Sequence, residues 1–158
     1  MHVTITIKLT PESRGELIDT YRSQYEAIRA HLEALQAKGV LVPVCPEILG
    51  GMGIPRLPCR FSGGDGGAVL RGEATIIDSN GTDRTSSFLR GAEETARVVE
   101  LISPDLIIFK EGSPSCGIRR VDIEGNKQQG CGVATALLAR SGIPMISEED
   151  PLPEAPQV

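Results

Sequence analysis

The sequence has no tryptophan, two tyrosines and three phenylalanines in 158 residues, so its core has to be built mainly from Val, Ile, Leu and Ala. No apolar run approaches the roughly 18 residues of a membrane-spanning helix. Met1 to Thr10 also lacks the basic-then-apolar profile of a signal peptide. Basic excess is missing as well: the net charge is −5, which argues against attraction to duplex DNA or to anionic lipid. There is no C-x-x-C pair, so a zinc ribbon or a thioredoxin-type centre has no direct support. The two histidines, His2 and His31, fall on a strand start and a helix face and do not read as ligands. These absences point to a cytoplasmic protein with neither membrane nor nucleic-acid duplex as partner. Its four cysteines are then expected as thiols serving packing, metal binding or catalysis.

What is present reads as one α/β domain over residues 1–147, followed by an acidic, proline-rich tail over 148–158. His2 to Lys8 alternates apolar and polar residues and predicts a strand. A long helix is expected from Thr10-Pro11 to Gly39, and the apolar run Val40 to Val44 predicts a second strand. Ala68 to Asp78 reads as a strand, Asp83 to Ile102 as a helix, and Leu106 to Phe109 as a short strand buried on both faces. Ile118 to Gly130 is polar, with a turn at Gly125-Asn126; a helix from Cys131 closes at Gly142, and Ile143 to Ser147 predicts an edge strand. The alternation implies a three-layer, Rossmann-like domain with a largely parallel sheet.

In such a sheet ligands sit beyond the carboxyl ends of the strands. Cys45 follows the second strand and Cys116 follows the loop after Leu106 to Phe109, so the two are expected to converge although 71 positions apart. Cys131, opening a helix, is a candidate for the same crevice. Glu47, two residues after Cys45, is the candidate general base, with capping or pairing to Arg56 as its structural alternative. Ser113 and Ser115 either orient a substrate or serve only their own turn. Gly63, Gly64 and Asp65 belong to a glycine-rich loop without the phosphate-loop pattern, a tight turn in which close backbone approach is possible. Arg56 and Lys110 are candidate contacts to an anionic substrate, although solvated charge is the common state of such residues.

Taken in order, Cys45-Pro46-Glu47-Ile48-Leu49-Gly50-Gly51, Pro55-Arg56-x-Pro58, Gly63-Gly64-Asp65-Gly66, Ser113-Pro114-Ser115-Cys116-Gly117 and Gly130-x-Gly132-Val133 resemble the motifs of the bacterial thiouracil desulfidases and their relatives. The likeness spans roughly residues 40 to 148. It implies a compact α/β protein that holds a 4Fe-4S cluster by three cysteines, the fourth iron left open to take sulfur from a thiolated pyrimidine. Cys45 and Cys116 match two of the three ligands. The family's first cysteine lies just after the first strand, in a segment like S-A-C-L-L-G. Here Ile7 to Gly15 contains none, and no cysteine precedes Cys45. Cys59 and Cys131 are the remaining candidates for the third ligand; otherwise the cluster is absent. Three readings therefore stand: a cluster-dependent desulfidase, a cluster-free binding or regulatory relative, and a zinc or redox-thiol protein.

Overall fold

A computed structural model describes residues 2–5 and 40–151. Four strands, β1 (His2–Ile5), β2 (Val40–Pro43), β5 (Leu106–Phe109) and β8 (Met145–Ser147), form a wholly parallel sheet in the order β2-β1-β5-β8. The central position of β5 follows from its sequence. All four of its residues are apolar and all four are buried, which only a strand covered on both faces tolerates. Pro144 lies just before β8, at the sheet edge, where a missing N–H breaks no ladder.

The other strands, β3 (Cys59–Ser62), β4 (Thr75–Asp78), β6 (Arg120–Ile123) and β7 (Asn126–Gln129), form a second sheet in the order β4-β3-β6-β7. It is mixed: β3 runs antiparallel to β4 and parallel to β6, and β6 and β7 form an antiparallel hairpin. This sheet is not part of the single, largely parallel sheet expected from the sequence. The helix expected over residues 11–39, which a third layer requires, lies outside the described residues. The hairpin turn sits one residue earlier than expected, at Glu124 and Gly125. Both have positive φ, 54° and 84°, the pairing that a two-residue loop needs if its twist is to match the strands.

Among the described residues four helices accompany the sheets: α1 (Pro46–Leu49), α2 (Gly66–Leu70), α3 (Thr85–Ile102) and α4 (Val133–Leu138). On α3, Phe88, Ala92, Thr95 and Val99 recur at three- and four-residue steps and are buried. Ser103 adopts φ 44° and donates its N–H to the Val99 carbonyl, and Pro104 follows, so α3 stops there. Ala68 to Asp78, expected as one strand, begins instead inside α2 and becomes strand only at Thr75. The cause is Asp65, whose Oδ1 accepts from the N–H groups of Gly67 (3.0 Å) and Ala68 (3.2 Å) and so starts a helical turn.

One apolar core joins the two sheets. Phe61 and Ile76 of the mixed sheet, Ile107 and Phe109 of the parallel sheet, Phe88 and Val99 of α3, and Val133 and Leu138 of α4 belong to the same cluster. Glu148, Glu149 and Asp150, at the start of the expected tail, pair with Lys110, Arg120 and Arg119 respectively. Residues 152–158 are outside the described residues. Among the described residues no helix is long and apolar enough to cross a membrane.

Candidate active site

Because β1, β2 and β5 are parallel, their carboxyl ends share one edge of the sheet, and two chain segments leave it there. The first is Val44 to Arg56, which contains α1. It is clamped to α3 by a glycine-to-glycine contact: a Cβ on Gly91 would fall 2.1 Å from the Pro46 carbonyl oxygen, and one on Gly50 would fall 2.1 Å from that of Ser87. Only glycine on both sides lets the backbones approach this closely. Arg90 reinforces the clamp by donating Nε–H to the Gly50 carbonyl at 3.1 Å.

The second segment is Lys110 to Gly117. It closes on itself through the Gly117 N–H to the Ser113 carbonyl (2.8 Å) and is held from behind by the start of α4. Val133 and Ala134 donate to the carbonyls of Pro114 (2.9 Å) and Ser115 (2.8 Å). Thr135 Oγ1 donates to the Cys116 carbonyl at 2.9 Å. A Cβ at Gly132 would stand 2.4 Å from the Cys116 nitrogen, so the glycine of the Gly130-x-Gly132 motif is a packing requirement of the cysteine loop.

Glu111 completes the second segment. Its Oε1 accepts from the amides of Ile118, Arg119 and Arg120 at 3.0 to 3.1 Å, tying the far end of the loop to its beginning. Burial raises the Glu111 pKa, but these amides outweigh it and hold the carboxyl below its ordinary range. This role has no signal in the sequence, because a carboxylate that collects distant amides has no fixed spacing to its partners.

Between the two segments runs a continuous polar chain. Arg56 donates Nη2–H to Cys45 Sγ at 3.3 Å and Nε–H to Glu47 Oε2 at 2.6 Å. Ser115 donates its hydroxyl to Glu47 Oε1 at 3.2 Å. Ser115 has one hydroxyl proton and gives it to Glu47. Ser113 Oγ, 2.9 Å away, and Cys116 Sγ, 3.5 Å away, must therefore donate to Ser115. The chain thus links Cys45, Arg56, Glu47, Ser115 and Cys116, with Ser113 as a branch. Glu47 is 1% exposed, and the Arg56 side chain 10%. Burial alone would lower the Arg56 pKa; the Glu47 carboxylate and the Cys45 sulfur outweigh it and raise it. Burial pushes the Cys116 thiol up. Cys45 is partly exposed and Cys116 fully buried.

The other candidates make contacts outside this polar chain. Cys59 is buried in β3 within the core, its Sγ 3.5 Å from the Leu57 carbonyl. Cys131 Sγ faces Asp65 Oδ2 at 3.6 Å, and burial together with that carboxylate pushes its thiol up to about 11. Asp65 divides its carboxylate between the start of α2 and the Cys131 N–H (3.1 Å). Gly63 turns the chain after β3 with φ 89°, and a Cβ on Gly64 would meet Ala68 Cβ at 2.6 Å. Lys110 pairs with Glu148.

The family model described as 2-thiouracil desulfurase matches residues 19–150. The chain belongs to that family. It is similar to an uncharacterised protein of Bacillus subtilis (strain 168), YbbK, at 41% identity over 112 residues, covering 69% of this chain and 74% of that protein. Among solved structures it resembles the [4Fe-4S]-dependent thiouracil desulfidase TudS, with a TM-score of 0.62, 36% identity, and coverage of 75% of this chain and 74% of that one.

A cluster held by three cysteines does not fit the donor set of this chain. All four cysteines are described, and among the described residues no three His, Cys, Asp or Glu side chains come together in a way that could hold a metal ion. Two thiols, Cys45 and Cys116, belong to the polar chain between the two segments. The thiols of Cys59 and Cys131 are engaged in the core and with Asp65.

Proposed function

We propose that this protein removes sulfur from a thiolated pyrimidine or a similar small thio-compound by net hydrolysis of its carbon–sulfur bond. In the overall reaction a thiocarbonyl and one water become a carbonyl and one hydrogen sulfide, with no change of oxidation state. The observation that carries this reading is the buried Glu47 carboxylate, fixed on one oxygen by Arg56 and on the other by the Ser115 hydroxyl. A carboxylate so held suits a general base: it accepts a proton from water without reorienting. Ser115, in contact with Glu47, Ser113 and Cys116, holds that carboxylate in position. Arg56 stabilises the negative charge that develops as sulfur leaves. Family membership supports the same chemistry. The expected setting is a small free substrate in the cytoplasm.

The test is sulfide release from 2-thiouracil by the purified full-length protein and by Glu47→Gln. General acid–base groups contribute about 10²- to 10⁴-fold, so the variant should lose at least about a hundredfold in kcat with its fold retained. Equal rates in the two proteins would contradict the assignment. A second reading is favoured by the lack of a third cysteine at the site: a relative that binds a pyrimidine-like ligand and releases no sulfide. Ligand-dependent thermal stabilisation without sulfide would support it.

A further inference from the structure

The two thiols of the polar chain stand in unlike surroundings. Cys116 is fully buried, and its sulfur lies against the Ser115 hydroxyl. Cys45 is partly exposed, and its sulfur receives a hydrogen bond from the Arg56 guanidinium. Arg56 in turn is oriented by Glu47, so one cation faces both a sulfur nucleophile and the candidate general base. A reachable thiol, an adjacent fixed cation and a carboxylate tied to that cation form the arrangement expected for covalent catalysis by cysteine. The missing third thiol frees Cys45 from the role that the family pattern gives it.

We propose that Cys45 is the nucleophile of a cluster-free desulfidation, attacking the thiocarbonyl carbon with Arg56 as counter-ion. The inference rests on the sulfur-removing reading above and specifies its first step. For a thioamide unit of a pyrimidine the balance is –NH–C(=S)– + Cys45–S⁻ → –N=C(S–Cys45)– + HS⁻. The new C–S bond forms to Cys45, the old one breaks, and the departing sulfide takes the ring N–H proton. Hydrolysis follows, in which water adds to the –N=C(S–Cys45)– carbon, the bond to Cys45 breaks, and the products are –NH–C(=O)– and the free Cys45 thiol. Glu47 takes the proton of the attacking water in this second step, with Ser115 holding the carboxylate. No electron donor or acceptor is needed in either step.

The two steps use different residues, and this makes the inference testable. Full-length protein treated with a chelator is mixed with 2-thiouracil, quenched in acid and measured by intact and peptide mass spectrometry, with sulfide quantified in parallel. Glu47→Gln, impaired in the water step, should accumulate a covalent adduct equal in mass to the base less one hydrogen sulfide on the peptide containing Cys45. One equivalent of sulfide should accompany it. Cys45→Ser should form no such adduct and release sulfide at least about a hundredfold more slowly. If sulfide is released while neither wild type nor Glu47→Gln carries an adduct at Cys45, the nucleophile assignment is overturned and the sulfur-removing function stands. If wild type releases no sulfide at all, both fall. The adduct in Glu47→Gln decides the matter even if Cys45→Ser does not fold.

Discussion

Cys45 and Cys116 are brought together from distant parts of the chain by parallel strands, and the hydrogen bonds that join them pass through ionisable and hydroxyl groups. Cys59 and Cys131 are bound differently, one to a carbonyl two residues away and the other to the Asp65 carboxylate that also caps a helix. The same residue type thus joins a network of ionisable and hydroxyl groups in one region and, in the other, meets a carbonyl in the core or a helix-capping carboxylate. What separates them is whether the neighbours can move a proton or hold a charge. Glu47 sits in a salt bridge and contacts a hydroxyl network; Asp65 accepts mostly backbone amides. The first carboxylate is the proposed base, and the second ties the start of α2 to the Cys131 amide.

The largest expected contrast lies between these two carboxylates. Glu47→Gln should abolish most sulfide release and, because it leaves the buried Arg56 guanidinium without its counter-charge, should also lower the melting temperature. Asp65→Ala should cost about 0.5–2 kcal/mol of stability through loss of the helix cap. A variant Asp65→Ala as stable as wild type would erase the distinction.

Next in size is the clamp that sets the first segment on α3. Gly91→Ala places a methyl group 2.1 Å from a backbone oxygen, so backbone must move. The cost should be about 1–3 kcal/mol, or roughly 2–4 °C in Tm for each kcal/mol in a chain of this size. Sulfide release should fall with it, because Cys45 and Glu47 are carried on the displaced segment. An unaltered Tm would show that the contact is not tight in solution.

A smaller effect comes from acid. Glu111 and Asp65 have depressed pKa values in the folded protein, so their contribution to stability is fully present above their ordinary values of 4.5 and 3.8. It is lost as pH falls through the folded values. As far as these two groups are concerned, thermal melts should be flat in pH down to about 4.5 and decline below it, and Glu111→Gln should flatten part of that decline. The smallest effect is on thiol reactivity. With a pKa near 11, Cys131 carries about one thiolate in a thousand at pH 8, so alkylation there should be slow and rise about tenfold per pH unit.

The sequence was most informative where a residue's role depended on its own segment. The apolar run Leu106 to Phe109 is the buried central strand that its composition implied, and α3 follows its apolar spacing to within two residues. The convergence of Cys45 and Cys116 could be anticipated because parallel strands put their carboxyl ends on one edge. The second sheet was not legible: Cys59 to Ser62 pairs with Thr75 to Asp78, and Phe61 within it with Ile123, partners set by tertiary packing. Ala68 to Asp78 read as a strand because its apolar residues suit either structure, and a single carboxylate, Asp65, decided for helix at its start. The pairing of Lys110 with Glu148 and the amide cluster on Glu111 likewise join residues with no sequence signature.

The central claim is that the chain handles sulfur with two thiols at the site and not with a three-cysteine cluster. The direct measurement is iron and acid-labile sulfide per chain after anaerobic reconstitution, taken together with sulfide release from 2-thiouracil before and after chelation. The expected result is well under one cluster per chain and sulfide release that survives chelation. About four iron and four sulfide per chain, the content of one 4Fe-4S cluster, with activity that rises and falls with them, would contradict it.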